Sequence, residues 1–409
     1  MIREGWALLL GAGLGVAVLG LAACGNRGGA AGVLVRDSAG VAIVTNAEPA
    51  WAEGEGWRVG AEPTVSIGVL EGDPAYQLYQ AWDATRLSDG TIVVANSGTK
   101  ELRFYDTTGR HVRSVGGEGA GPGEFDGIMF VGVAAGDTII VWDASTKRIS
   151  RFSLGGTFLD ATTVEFAGLF PQAVGMFGDG SVAVNDGFGT PTTFHEMSSG
   201  PVLDSATYVR VEPGSAAVDT LGTFAGNELY VEIGEGTLGI SIRPFGERTA
   251  FATHGDRYYV GARDEFEIRV YGAASDSLET VIRIPRTPEP VTEEHVARWR
   301  ERRLANASED RRAELRREFE RIQPVDHFAP YADLIVDSEG AIWGARGAPA
   351  ADATVTTFDV FDPDGRYLGA VPVPAALSPL EIGPDWILAS TRDALDIEHI
   401  VVHPLTRTP

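Results

Sequence analysis

Turn residues recur along this chain at near-regular intervals, and short apolar runs stand between them. Six of these runs follow turns that end at Gly90, Asp137, Gly180, Asp256, Gly340 and Asp385. Successive turns lie 47, 43, 76, 84 and 45 residues apart. A unit of about 45 residues with four short strands cannot bury both of its faces alone, so it must stack on copies of itself. The spacing predicts an all-β protein, a six-bladed β-propeller with four-stranded antiparallel blades.

The unit at residues 83–125 shows the pattern most clearly. It reads DATRLSDG, TIVVANSGTK, ELRFYDTTG and RHVRSVGGEGAGPGEF, which predicts four strands separated by Asp-Gly and Thr-Gly turns. From residue 88 onward it resembles an NHL-type propeller repeat, through its D-G-T-I-V-V-A-N core, its R-F-Y-D-T-T-G turn and its Gly-rich linker. More broadly, the chain is similar to bacterial six-bladed β-propeller lipoproteins. The resemblance implies an architecture, whereas activity varies widely among such propellers.

Two intervals are longer than one unit, and each excess predicts an insertion. In the 76-residue interval, residues 208–224 repeat the outer-hairpin pattern of the first unit. That match leaves residues 186–204 as an extra loop and residues 225–244 as a long connection. In the 84-residue interval, the excess at residues 289–323 interleaves Arg with Glu and predicts a helical insertion.

The helical insertion carries its own start signals. Thr292 is a predicted N-cap, and Ser308 restarts a second helix with acidic residues in its first turn. Leu315, Phe319 and Ile322 share one helical face, which indicates a buried stripe. The insertion either caps one face of the ring or docks a partner helix or a membrane-complex component.

Closure of the ring needs a strand from the N-terminal part of the chain. The last unit ends at residues 398–406, with no room for a further strand. An unclosed ring would expose an edge of unpaired backbone groups. We therefore expect Val33 to Asn46, which reads as two short strands, to complete the final blade.

The N-terminus reads as a secretory signal. Arg3 precedes an apolar segment, residues 6–21, and the sequence Leu-Ala-Ala-Cys closes it at Cys24. This ending resembles the bacterial lipobox, which implies that residues 1–23 are removed and Cys24 is acylated. A plain signal peptide and a transmembrane anchor are the alternatives. Residues 24–32 would then be a flexible tether, and residues 33–409 the propeller.

Composition narrows the function classes. Lys and Arg total 33 against 57 Asp and Glu, a net charge of −24. This charge disfavours nucleic acid and anionic lipid surfaces as partners, and it is typical of a solubilising surface. The single cysteine excludes an intramolecular disulfide.

Several motifs admit a functional interpretation, but a structural one is favoured. Residues 117–125 (GEGAGPGEF) lack the Lys-Ser/Thr of a phosphate loop and are typical of an inter-blade linker. His399 and His403 lie on a predicted strand without the further ligands of a zinc site. Six residues beyond the turn ends lie Asn96, Asp143, Asp186, Ala262, Arg346 and Thr391. In NHL repeats this position is usually Asp, and a short polar side chain there can bond to the backbone of a nearby loop.

The start of each innermost strand supplies the candidate ligand contacts. Among the residues seven or eight positions before the turn ends, we select Trp82, Asp83, Gln172, Arg248 and Asp333 as candidate ligand contacts in the central channel. Only Asp83 and Asp333 are carboxylates, whereas calcium takes about six to eight oxygen ligands. This set predicts no metal, no cofactor and no catalytic residue.

The sequence therefore predicts a lipid-anchored, non-enzymatic binding or scaffold module of the bacterial cell envelope. Its partners would be the membrane, through the N-terminal lipid, and an envelope protein or small ligand. The alternative is a propeller enzyme of the lactonase, hydrolase or lyase type, with its site in the central channel. That alternative requires metal-binding oxygens or histidines that converge from several inner strands.

Overall fold

The computed structural model describes residues 32–408, apart from 135, 137, 167, 169–170, 188–197, 235–236, 247 and 348–352. Its first sixteen strands are β1 (Val33–Ser38), β2 (Val41–Asn46), β3 (Arg58–Val59), β4 (Val65–Ile67), β5 (Ala81–Arg86), β6 (Ile92–Asn96), β7 (Glu101–Tyr105), β8 (His111–Gly116), β9 (Ile128–Ala134), β10 (Thr138–Asp143), β11 (Arg148–Ser153), β12 (Phe158–Thr163), β13 (Gln172–Met176), β14 (Val182–Asn185), β15 (Gly200–Val211) and β16 (Val218–Gly234).

The remaining elements are twelve strands and two helices. They are β17 (Thr237–Ile242), β18 (Phe251–His254), β19 (Arg257–Gly261), β20 (Glu267–Gly272), β21 (Ser277–Arg283), α1 (Glu293–Ala305), α2 (Glu309–Arg321), β22 (Tyr331–Val336), β23 (Ile342–Arg346), β24 (Val355–Phe361), β25 (Tyr367–Pro374), β26 (Ser378–Ile382), β27 (Trp386–Arg392) and β28 (Glu398–Thr406).

These strands form six blades, and the chain is a six-bladed β-propeller. Strands β5–β8, β9–β12 and β22–β25 are complete four-stranded antiparallel blades: blades 1, 2 and 5. Blade 3 is built on β13–β16, blade 4 on β18–β21 and blade 6 on β26–β28. The predicted fold class is confirmed.

Packing between neighbouring blades explains the unbroken apolar runs of the second strands. All five residues of β6 are buried. Its Val93 packs with Phe104 of the same blade and with Val131 and Ile139 of blade 2 in one core cluster. Its Val94 faces the other way, into a cluster with blade 6. A strand with buried neighbours on both faces needs apolar side chains at every position.

The ring is closed by N-terminal strands, but not by the predicted ones. Strands β3 and β4 pair with β28, so they complete blade 6. The predicted segment, Val33 to Asn46, instead forms β1 and β2, and β2 pairs in parallel with β21 on the outer edge of blade 4. The prediction was wrong because the chain has two extended segments before blade 1, and their local sequences do not show which of them reaches β28. Ile67 in β4 is completely buried between blades 6 and 1.

One face of the ring carries both insertions, and we call it the insertion face. The connections from second to third strands, and from each blade to the next, all lie at the end of the ring where the innermost strands begin. Strands β15 and β16 run past blade 3 on this side and, with β17, form an extension that we call the arm.

The outer hairpin at residues 208–224 is confirmed. Residues 200–204 and 225–234 extend its strands, which corrects the expected loop and long connection. Residues 188–197 of that predicted loop lie outside the described residues.

The helical insertion is confirmed as a hairpin of α1 and α2. The Thr292 hydroxyl accepts a hydrogen bond from the backbone N–H of His295, which begins α1 as predicted. Ser308 precedes α2, but its side chain makes no capping bond in the described contacts. Leu315, Phe319 and Ile322 are all buried. None of the helices among the described residues is long and apolar enough to span a bilayer.

The polar residues after the second strands have the structural role that was predicted. The Asn96 side-chain oxygen accepts from the Tyr79 N–H at 2.9 Å, and Asp143 accepts from the N–H groups of Asp126 and Gly127 at 2.7 and 3.1 Å. Asp186 accepts from the Gly168 N–H at 3.0 Å. Each side chain thereby ties its strand to the incoming inter-blade loop.

Candidate ligand sites on the axis and on the insertion face

The six innermost strands surround an axial cavity of about 320 Å³. All six blades contribute to its wall, which is largely apolar or small. Its polar side chains are Asp83, Thr85, Arg86, Thr253 and Glu381. Chemistry on the propeller axis would depend on these groups.

Asp83 bridges blades 1 and 2. Its Oδ1 accepts from the N–H of Ala84 and its Oδ2 from the N–H of Val131, each at 2.9 Å. Burial raises the pKa of Asp83 from 3.8 to about 7, the two backbone hydrogen bonds oppose that rise, and the charge of Glu381 adds to it. The carboxyl therefore exchanges a proton near neutral pH.

Glu381 makes the corresponding bridge from blade 6 to blade 1. Its Oε2 accepts from the Thr85 hydroxyl at 3.1 Å and from the Arg86 N–H at 2.9 Å. Burial raises the pKa of Glu381 above its ordinary value. Neighbouring inner strands belong to separate sheets, so such side chains satisfy N–H groups that no ladder partner reaches.

Sequence reasoning missed Glu381 because inner strands do not keep one register. The pairing of β26 shifts between Pro379 and Glu381, and the pairing of β5 shifts between Ala81 and Asp83. These bulges displace the residues that face the axis. Glu381 precedes its turn end by four residues and Asp83 by seven, so no single offset selects both.

The structure separates the five predicted ligand contacts. Trp82 is 53% exposed and lies in a surface groove beside His399 rather than in the axial cavity. Arg248 precedes β18 and donates to the Gln172 side-chain oxygen at 3.1 Å. Burial raises the pKa of Asp333, and the charge of Arg248 opposes that rise. The part of β22 that lines the cavity runs from Leu334 to Val336. Asp83 alone of the five predicted contacts lines that cavity.

The histidines that were weighed as zinc ligands have other partners. The His403 ring lies 2.8 Å from the Gly60 carbonyl oxygen, and the His399 ring lies 3.4 Å from an Asp393 carboxylate oxygen. Across the described ranges, no group of three or more His, Cys, Asp or Glu side chains could hold a metal ion.

A second cavity, of about 440 Å³, lies on the insertion face, and we call it the insertion-face pocket. Its residues come from the arm, from blade 4 and from the segments that flank the helical hairpin. They are Glu228, Arg243, Phe245, Arg263, Asp264, Thr287, Pro288 and residues 325–329. Neither the turn offsets nor the predicted channel residues point to this pocket, because its walls come from both insertions and from blade 4.

Buried charges form one wall of the insertion-face pocket. Glu228 is 7% exposed and lies between two guanidinium groups, with Arg243 at 3.5 Å and Arg263 in direct contact. Burial lowers the pKa of Arg263, and the charge of Asp264 opposes that shift. The three side chains place a pair of cations around one buried carboxylate.

The arm and the helical hairpin hold each other over the pocket. Arg243 donates to the carbonyl oxygens of Gln323 at 3.1 Å and Pro324 at 2.6 Å. The Phe245 ring lies 5.2 Å from Phe328 in an edge-on arrangement. These contacts join residues about 80 positions apart, so the pocket exists only in the folded chain.

Comparison with known proteins agrees with the fold. A family model described as a 6-bladed beta-propeller matches residues 78–172. A member of the DUF4221 family from Bacteroides vulgatus has a similar structure, with a TM-score of 0.51, 8% identity and coverage of 86% of this chain and 99% of that one. None of the curated proteins matches the sequence.

Two enzymes are among the other structural neighbours. A gluconolactonase from Xanthomonas campestris has a TM-score of 0.42 and 13% identity, with 87% of this chain and 99% of that chain covered. Virginiamycin B lyase from Staphylococcus aureus has a TM-score of 0.40 and 10% identity, with 86% and 100% covered. At these identities the likeness concerns the fold and not the activity.

Proposed function

We propose that this chain is a lipid-anchored, non-catalytic binding module of the bacterial cell envelope, built from NHL-like repeats, with its ligand site in the insertion-face pocket. The observation that carries the proposal is that two separate insertions meet and enclose one pocket. Blades 1, 2 and 5 are complete without extensions of this kind. Ordering an arm and a helical hairpin costs conformational entropy, and a binding site is a common reason for such additions.

The chemistry of the axial cavity supports a non-catalytic role. A general acid or base must reach a substrate proton within hydrogen-bonding distance. Both Asp83 oxygens accept backbone N–H groups, and one Glu381 oxygen accepts two donors from blade 1. These carboxylates are engaged in holding adjacent blades together.

Filling the pocket tests the ligand site. Thr287 is exposed at its rim, so Thr287→Trp should occlude the pocket without disturbing the core. Purified protein is incubated with a small-molecule extract of bacterial envelopes and examined by native mass spectrometry. We expect the wild type to retain a ligand, and Thr287→Trp to lose it.

The matched control for pocket filling is Val112→Trp, at a 48% exposed position in β8 that does not line the pocket. This variant should retain the ligand as the wild type does. If both tryptophan variants retained the ligand equally, the ligand would not bind in the insertion-face pocket. Loss of the ligand only in Asp83→Asn would show that the ligand binds in the axial cavity.

The lipid anchor rests on the Leu-Ala-Ala-Cys sequence that ends at Cys24, which lies outside the described residues. We expect the wild-type chain, expressed in a bacterium, to fractionate with membranes and to incorporate labelled fatty acid. Cys24→Ala should lose the label and the membrane association, because it has no thiol to acylate. A variant that is processed and membrane-bound like the wild type would contradict the anchor.

A propeller enzyme with its site in the central channel remains the competing proposal. The observation in its favour is Asp83, a carboxyl with a pKa of about 7 on the wall of the axial cavity. Hydrolysis of lactone or ester substrates by the wild type, absent from Asp83→Asn, would support this alternative. Stabilisation by millimolar calcium, lost in the Asp83→Asn/Asp333→Asn double variant, would also support it.

A further inference from the structure

Trp82 differs from the other tryptophans of the described ranges because its ring has no partner. Each of the others packs against a second aromatic ring or a guanidinium group: Trp51, Trp57, Trp142, Trp299, Trp343 and Trp386. Trp82 is 53% exposed, and its indole N–H donates to no described residue. A tryptophan left in water forgoes the free energy of burying a large ring, so this side chain is a candidate for contact with a ligand.

A β-bulge presents Trp82 to solvent. The pairing of β5 with β6 passes from Ala81 directly to Asp83, so Trp82 is the extra residue of the bulge. The innermost strands of blades 2, 3, 5 and 6 have corresponding bulges, and the residues that the pairing skips there are Met129, Val174, Ala332 and Leu380. All four of those residues are partly buried. The bulge is therefore a repeated feature of this propeller, whereas an exposed tryptophan in it is particular to blade 1.

Trp82 lines a groove of about 370 Å³ between blade 1 and blade 6, and we call it the Trp82 groove. Three hydroxyl groups line the same groove, those of Ser378, Ser390 and Thr391. Ser378 and Ser390 lie opposite each other on the paired strands β26 and β27. None of the three hydroxyls makes a hydrogen bond to a described residue. Each therefore remains free to donate to a ligand and to accept from it.

The charged side chains of the Trp82 groove balance each other. Arg392 and Glu398 lie opposite each other on β27 and β28, and their charged groups are 2.5 Å apart. The other Glu398 oxygen accepts from the Ala81 N–H at 2.9 Å, which fixes the carboxylate beside Trp82. Arg392 is bonded only to Asp396 and Glu398, so part of its guanidinium can still donate to a ligand. Such a groove favours a neutral ligand with many hydroxyl groups over an ion.

We propose that the Trp82 groove is a saccharide-binding site, for a β-linked chain of pyranose rings whose hydroxyl groups are all equatorial. Such a ring has two flat faces of C–H groups, and one of them can lie on the Trp82 indole without a clash from a hydroxyl. The equatorial hydroxyls at the ring edge then reach the free hydroxyls and the charged pair of blade 6. The volume lies within the range of about 300 to 1,000 Å³ typical of small-molecule sites. This site is separate from the insertion-face pocket and does not depend on it.

The test uses cellotetraose and N-acetylchitotetraose as ligands of the purified protein. Calorimetry measures affinity, and saturation-transfer NMR should show stronger transfer to the ring protons of one sugar face than to those of the other. Trp82→Ala should weaken binding by roughly ten-fold or more, and Trp82→Phe should weaken it less. The matched control is Tyr79→Ala, because Tyr79 is a 62% exposed aromatic residue that does not line the groove. Sorbitol, an open-chain polyol without a ring face, should not bind.

Several outcomes would overturn the saccharide site. Failure of the wild type to bind either oligosaccharide at millimolar concentration is one, and binding of sorbitol as strong as that of cellotetraose is another. Equal affinities of Trp82→Ala and Tyr79→Ala would show that Trp82 makes no contact with the sugar. Thr287→Trp, which occludes the insertion-face pocket, should bind the oligosaccharides as the wild type does. Loss of binding in that variant alone would assign the sugar to the insertion-face pocket instead.

Discussion

Ile67→Ala should lower the free energy of unfolding by about 2 to 5 kcal/mol. Ile67 is completely buried, and its cluster joins Val94 and Tyr105 of blade 1 to Leu388 and Ile400 of blade 6. The alanine would leave a cavity at the seam where the ring closes. Urea unfolding followed by circular dichroism measures the loss.

The matched control for ring closure is Ile43→Ala in β2. Ile43 pairs with Val281 on the outer edge of blade 4 and is only partly buried. The substitution should lower the free energy of unfolding by roughly 1 kcal/mol, because Ile43 buries less apolar surface on folding than Ile67 does. If Ile43→Ala were the more destabilising of the two, closure through β3 and β4 would be the lesser contribution to the stability of the ring.

Stability should fall as the pH rises through neutrality because of Asp83. The pKa of this carboxyl is about 7 in the folded chain and 3.8 ordinarily, so the folded state binds its proton more tightly. The stabilisation is complete below the ordinary pKa and disappears as the pH rises through 7. Between pH 5.5 and 8 this group should cost about 2 kcal/mol of unfolding free energy.

Asp83→Asn isolates that contribution. Asparagine does not titrate, and it has one accepting oxygen where Asp83 accepts from both Ala84 and Val131. The variant should be less stable than the wild type at pH 5.5, and the gap should narrow toward pH 8. Glu381 is present in both proteins, so most of its own titration cancels in the difference. Urea midpoints at four pH values give the gap, and a constant gap would contradict the raised pKa.

The architecture could be predicted from the chain because the blade is a local unit. Turn residues such as Gly90, with φ +85°, require the left-handed region that glycine adopts without strain. The apolar runs after each turn indicate strands that are buried on both faces. Thr292 and the Leu315–Phe319 stripe likewise lie within one helical segment, where spacing translates directly into a cap and a face.

The candidate sites could be predicted only in part, because they depend on alignment between blades. Asp83 was found by its offset from Gly90, whereas Glu381 was missed because a bulge shifts its strand. Arg248 was placed on an inner strand but precedes β18 and pairs with Gln172. A one-residue error in a strand sends a side chain to the other face, so an offset cannot locate axis-facing groups without the register.

The sequence by itself determined the blades, the turns between them and the two helices, since each depends on residues within about 45 positions of one another. Only the tertiary structure decided which N-terminal strands close the ring, which carboxylates face the axis and where the arm meets the helical hairpin. The physical reason is distance along the chain. Strand β4 meets β28 across more than 300 residues, and Arg243 meets Gln323 across 80. Contacts of that range are selected by the packing of the whole ring, which no local pattern records.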